Sequence, residues 1–330
     1  MNITNTKLDL EYVRSQFPAF SDPMCKEWSF FENAGGSYVP HQVIDKLNEF
    51  MTSTKVQPYA KYPMSQIAGD NMDKATEFFA NMINAKNKEI IIGGSTSINL
   101  YVLSNALKKY VNPGDEVIVT NQDHEANISP WRRLSEVGAK IIEWKINPIT
   151  AELEIDELER LLNDNTKIVA VTHCSNIVGT INNLKKITEM AHNKNAIVIG
   201  DGVSYAPHGF PDVKDLDVDF YTFSLYKTYG PHLALLYGKE EILKKLPNQN
   251  HFFLEGHYPY TLNPGGPNHE ELVSLIGIYD YMMTLYNHHF NELGLSIREK
   301  INKINNLVSK HEEEVANPIL EHISKKEDLI

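Results

Sequence analysis

Short apolar runs alternate with stretches of helical spacing along most of the chain. Residues 89–92, 116–120, 140–146, 167–172, 196–200, 220–223 and 233–237 are compact runs in which Ile, Val, Leu and Phe predominate, and they read as strands. Between them, apolar positions recur every three or four residues. They do so over 97–110 (Leu100, Leu103, Leu107), 128–137, 155–162 (Leu158, Leu161, Leu162) and 184–192, which predicts helices. After Pro267 the texture changes. Residues 271–286 read as helical, and 291–316 form a long, charged, weakly amphipathic stretch (Leu293, Leu295, Ile297, Ile301, Ile304, Leu307). A second helical piece is expected over 318–323. Strands that are apolar throughout and separated by helices have both faces covered. The expected fold is therefore α/β, with a mostly parallel sheet flanked by helices. In such sheets ligands bind beyond the carboxyl ends of the strands. The turns at 93–96, 121–124, 172–176, 201–204 and 223–227 are where chemistry is expected.

Charge and composition narrow the function. The chain has 330 residues, with 31 Lys and Arg against 43 Asp and Glu, a net charge of −12. That length suits one large domain or two ordinary ones. The acidic balance and the lack of any basic run argue against nucleic-acid binding, which needs clustered Lys and Arg. The two cysteines, Cys25 and Cys174, cannot make a disulfide framework, and no Cys/His spacing matches a zinc site. No window approaches about 18 consecutive apolar residues. Residues 1–17 lack the apolar centre of a secretory signal. A cytoplasmic protein without membrane attachment is the expectation.

The candidate chemistry sits in the five turns. Lys227 follows an apolar strand in Ser224-Leu225-Tyr226-Lys227-Thr228-Tyr229-Gly230-Pro231. Alone it suits a solvated surface charge; desolvated, its amine would be a nucleophile for a carbonyl. Asp201 ends another strand and precedes Gly202. It suits a turn residue, or a carboxylate placed opposite the lysine to hold a pyridine nitrogen protonated. Gly93-Gly94-Ser95-Thr96 joins a strand to a helix, where Ser95 or Thr96 can cap the helix and the free amides can hold a phosphate. His124, in Asp123-His124-Glu125, is half of a metal site by composition, but no second His lies at helical spacing.

Taken together these motifs resemble the class V aminotransferase superfamily of fold-type I pyridoxal phosphate enzymes, in its cysteine desulfurase-like branch. The matching stretches are FFENAGGSYVP, GGSTSINLYVLSNAL, GDEVIVTNQDHEANISPW, VTHCSNIVGTINNL, the segment 200–239 and NPGGPNHEEL. They run in family order from about residue 30 to 272. The resemblance implies that Lys227 is the Schiff-base lysine, Asp201 the acid on the pyridine nitrogen, and His124 the imidazole stacked on the ring. It implies that Asn176 bonds the phenolic oxygen and that Ser95, Thr96 and Ser224 hold the phosphate. Asn33, Ala34, Gly35 and Gly36 match the loop that approaches the substrate. Three cofactor-site positions depart from the desulfurase pattern. Ser204 replaces a usual Gln, Tyr226 a usual His, and Gly266 a Thr whose hydroxyl reaches the neighbouring subunit's phosphate.

The resemblance also implies an organisation. It expects an N-terminal segment over 1–25, a cofactor-binding large domain over 26–285, and over 286–330 a connecting helix with the start of an incomplete small domain. In relatives that small domain carries a substrate-clamping Arg and, in desulfurases, a nucleophilic Cys; neither Cys25 nor Cys174 matches that position. Cys174 reads as a buried small residue. The implied protein is a homodimeric, metal-free pyridoxal phosphate enzyme acting on an amino acid. Transamination, C–S lyase elimination and epimerisation all stay open. The alternative is a cofactor-binding protein or fragment with little catalysis.

Overall fold

The computed structural model describes residues 7–326. Seven strands form one sheet: β1 (Ile90–Gly93), β2 (Glu116–Thr120), β3 (Lys140–Trp144), β4 (Thr166–Thr172), β5 (Ile197–Asp201), β6 (Phe220–Ser224) and β7 (Ala234–Gly238). Their order across the sheet is β1-β7-β6-β5-β4-β2-β3. The block β3, β2, β4, β5 and β6 is parallel throughout. β7 runs antiparallel to both of its neighbours, β6 and β1. The mostly parallel sheet is as expected. The reversal of β7 is not visible in an apolar run, which carries no sign of direction.

Side chains alternate between two cores, one on each face of the sheet. On β4, Val169 and Val171 join the larger core, and Ile168 and Ala170 the smaller. Each fully buried aliphatic side chain contributes about 1.5–3 kcal/mol relative to exposure. Helices Pro63–Met82, Leu184–His192, Ile276–His289 and Ile297–Ile323 cover the larger core, and Thr96–Leu107 covers the smaller. Leu184–His192 shows the local logic. Asn183 caps it by accepting from the Lys186 amide at 3.1 Å, and Leu184, Ile187 and Ala191 form its buried stripe.

Several element boundaries differ from expectation for identifiable reasons. The helix predicted over 97–110 starts at Thr96, capped by Ser95, and tightens into a 3₁₀ turn from Lys108. The stretch 128–137 is α-helical only over Ser129–Arg132, with Pro130 in its first turn. It continues as 3₁₀ turn until Gly138 ends it at φ +91°. The two helical pieces expected after residue 291 are one helix, Ile297–Ile323, running through Pro318. Residues 313–326 are exposed, so water serves the carbonyl that Pro318 leaves without an N–H partner. Its start is fixed by a capping box, Ser296 with Glu299.

Candidate active site

All five turns marked in the sequence open into one cleft of about 210 Å3 at the carboxyl ends of the parallel strands. Register places three of them along one edge: Thr172 and Asp201, the last residues of β4 and β5, pair with each other, and Asp201 pairs with Thr222, two residues before the end of β6. Ser95, Thr96, His124, Asn176, Asp201, Ser204, Ser224, Tyr226 and Lys227 all line this cleft.

Asp201 forms the floor and is 4% exposed. Its Oδ1 accepts from the Val203 amide at 2.8 Å. Burial raises its pKa, while that hydrogen bond and the positive charge available on His124 and Lys227 pull it back. Lys227 answers in the opposite sense. Burial lowers its pKa, and the Asp201 charge partly restores it. Behind Asp201 lies a supporting group that the sequence did not single out. His173 donates its backbone N–H to the Asp201 carbonyl at 2.7 Å and stacks on Tyr205 with centroids 3.8 Å apart. Its Nδ1 lies 2.7 Å from the Tyr221 hydroxyl, and burial pushes its pKa down to about 4, so the ring is neutral. The Tyr221 hydroxyl packs directly under Gly202. A Cβ on that residue would lie 2.0 Å from the hydroxyl oxygen, which explains a glycine immediately after Asp201.

A second acid was also missed. Asp123 lies half-buried next to His124, bonded by the Thr120 hydroxyl and by Asn127 Nδ2 at 2.7 Å. Burial, with Asp201 nearby, pushes its pKa up to about 8. Its residue type was legible, but in the sequence it read only as an acidic flank of His124. His124 itself accepts from the Ala126 amide through Nδ1 at 3.1 Å, which leaves Nε2 as its protonated nitrogen when neutral.

At the other end of the cleft the Thr96 and Ser224 hydroxyls lie 2.9 Å apart. One donates to the other, leaving one hydroxyl proton for a ligand. They sit at the N-terminus of the 12-residue helix Thr96–Leu107, whose first amides have no intrahelical acceptor. Tyr226 closes this end, stacked on His232, a further lining residue that the sequence did not mark. The loop of Asn33, Ala34, Gly35 and Gly36 reaches the site through Tyr226. A Cβ on Gly36 would meet the Tyr226 ring at 3.2 Å, and the next residue, Ser37, donates its amide to the Tyr226 carbonyl at 3.0 Å. Gly266 does not enter this cleft. It lines a neighbouring groove with Gly93, Gly94 and Ile98. Cys174 lines the cleft half-buried, where full burial was expected, and burial pushes its thiol up. Among the described residues no group of three or more His, Cys, Asp and Glu is placed to share a metal ion, and no helix is long and apolar enough to cross a membrane.

The sequence matches the Aminotransferase class-V family over residues 29–311. The chain belongs to the class V aminotransferase family. It is 36% identical to the Aminotransferase-like protein FGM3 of Gibberella zeae, over 99% of this chain and 78% of that protein. It is 31% identical to a cysteine desulfurase of Pectobacterium atrosepticum, over 84% of this chain and 72% of that one. The crystal structure of the cysteine desulfurase CsdA from Escherichia coli superposes on it with a TM-score of 0.75. That match has 25% identity and covers 88% of this chain and 73% of the other. Class V aminotransferases are pyridoxal phosphate enzymes, and the donor set fits that cofactor. A buried carboxylate and a desolvated lysine stand at one end, and a helix N-terminus with clustered hydroxyls at the other.

Proposed function

We propose that the cleft holds pyridoxal 5'-phosphate through Lys227 and acts on an amino acid. The convergence of five separate turns on Lys227 and buried Asp201 carries this reading. Bound there, the cofactor supplies an aldehyde and an electron-withdrawing pyridinium ring.

This chain's residues divide the remaining work. Lys227, its amine favoured in the neutral form by burial, is the covalent anchor. When its amine is free, the same group is the base that takes the substrate Cα proton. Asp201 holds the proton on the ring nitrogen, and that cationic partner offsets the cost of its burial. His124 offers a flat ring over the cleft, and Asn176 and Ser204 offer polar groups on its flank. Ser95, Thr96, Ser224 and Tyr226 receive the phosphate. Residues 26–285 form the cofactor-binding unit, and 33–36 place the substrate against Tyr226. None of these roles needs a thiolate, so the reaction is assigned to those that begin with loss of the Cα proton: transamination, elimination or epimerisation.

We propose further that the chain works as a homodimer. The groove of Gly266 and half-exposed Ile98 beside the phosphate end gives a partner's surface access to that end, and Gly266 serves the neighbouring site. Sedimentation velocity checks this: a monomer at micromolar concentration overturns it.

The test of the main reading is the visible spectrum of the protein with pyridoxal 5'-phosphate, beside Lys227→Ala. The expected result is a band above 400 nm that responds to added amino acids and is lost in the variant. A folded protein with no such band overturns the proposal.

A further inference from the structure

The phosphate end of the cleft raises a question of charge. Among the described residues lining the cleft there is one lysine and no arginine. In the reading above, on which this inference rests, the Lys227 amine is committed to the cofactor's aldehyde. A phosphate monoester carries close to two negative charges at neutral pH. The hydroxyls of Ser95, Thr96, Ser224 and Tyr226 are neutral, and a helix N-terminus offers about half a positive charge. The other lining groups able to become cations are two imidazoles, His124 and His232. His124 lies within electrostatic reach of Asp201, at the ring end.

His232 lies at the phosphate end. It follows Gly230-Pro231 in the turn that leads into β7. Its Nδ1 is 3.2 Å from the carbonyl of Gly94, the residue before the helix cap Ser95. A carbonyl only accepts, so Nδ1 carries a proton and donates it. Nε2 is then the nitrogen left for a ligand or a second proton. The ring lies nearly parallel to that of Tyr226, with centroids 4.7 Å apart and planes 14° apart. One contact fixes the imidazole to the loop before the helix, the other to the residue before Lys227. The Glu271 carboxyl is within its electrostatic reach.

We propose that His232 is a phosphate-recognising residue of this cleft. Nδ1 donates to Gly94, Tyr226 holds the ring plane, and Nε2–H donates to a phosphate oxygen and supplies positive charge there. His232 is thus a determinant of selectivity for the phosphorylated cofactor over its dephosphorylated form.

The experiment titrates protein freed of cofactor with pyridoxal 5'-phosphate and, separately, with pyridoxal, read by visible absorbance. It compares the unsubstituted chain with His232→Ala and His232→Gln, with far-UV circular dichroism as the check on folding. Loss of a charge-assisted hydrogen bond predicts about tenfold weaker binding of the phosphorylated ligand in His232→Ala. Pyridoxal binding should be unchanged, and His232→Gln, which keeps a donor, should fall between. Equal weakening of both ligands, or no weakening of either, overturns the assignment. If His232→Ala fails to fold, His232→Gln carries the same comparison. Binding of neither ligand to the unsubstituted chain overturns the cofactor reading and this inference together; the outcomes above overturn only the latter.

Discussion

The floor and the rim of the cleft are built differently. The floor is made of strand ends. Asp201, Thr172 and Ser224 are buried, and their backbones are locked by pairing, Thr172 with Asp201, Asp201 with Thr222 and Ser224 with Ala234 of β7. Its titratable groups and those packed behind them feel burial strongly: Asp201 and Asp123 are raised and His173 is lowered. The rim is made of turns, and His124, Asn176 and His232 on it are exposed. A floor residue cannot shift without the sheet, so a change there affects chemistry and folding. A rim residue can be replaced at the cost of affinity alone.

The most damaging test of that division is Asp201→Asn. The variant should fold, and exchange of an amino acid's Cα proton for deuterium, followed by NMR, should slow about 10²- to 10³-fold. Unchanged exchange removes Asp201 from the mechanism. Gly202→Ala comes next, because the added Cβ meets the Tyr221 hydroxyl. Overpacking of this kind costs about 1–3 kcal/mol, read as a lower denaturation midpoint. A midpoint equal to that of the parent shows that the floor yields more than its packing implies.

A subtler effect is expected from Asp123→Asn. With the Asp123 pKa pushed up to about 8 from an ordinary value of 3.8, the folded state holds a proton that the unfolded state has released between those pH values. Stability therefore falls as pH rises across that window. The Asn variant should show a flatter profile in urea melts at pH 5 and pH 8. An unchanged slope places the titration elsewhere. The smallest effect belongs to the rim. Tyr226→Phe keeps the stack on His232 and loses one hydroxyl. Affinity for pyridoxal 5'-phosphate should drop a few-fold with no change in midpoint. A large midpoint change erases the distinction between rim and floor.

How far the sequence reveals this molecule follows the same physics. Strands β2 and β4 are legible within a residue because their apolar runs are interrupted by polar turns. Helix Leu184–His192 is legible at both ends because a cap and a stripe mark it. Helix Pro63–Met82 escaped notice. Its buried face mixes Ser65, Ala68, Gly69, Met72 and Ala75 with Phe78 and Phe79, so small residues that allow close packing replace the Leu and Ile that announce a stripe. In the site, Lys227, Asp201, His124 and Ser95 stood out by their place after a strand and by matching family motifs. His173 and Tyr221 did not, because a buried polar pair behind a strand end is marked only by tertiary contact. His232 was hidden by its position before β7, where an antiparallel return brings it back to the cleft.

That return constrains how the protein can vary. Lys227 and His232 leave from a single turn between β6 and β7, because the antiparallel strand re-enters the sheet at the edge where its predecessor left. Inserting or deleting one residue there slips the register of β7, and a slip of one exchanges the faces of all its side chains. Leu235 and Tyr237 would be driven toward the smaller core, and Leu236 toward the larger. The length of this turn is thus constrained by folding, independently of the chemistry that Lys227 and His232 carry on it.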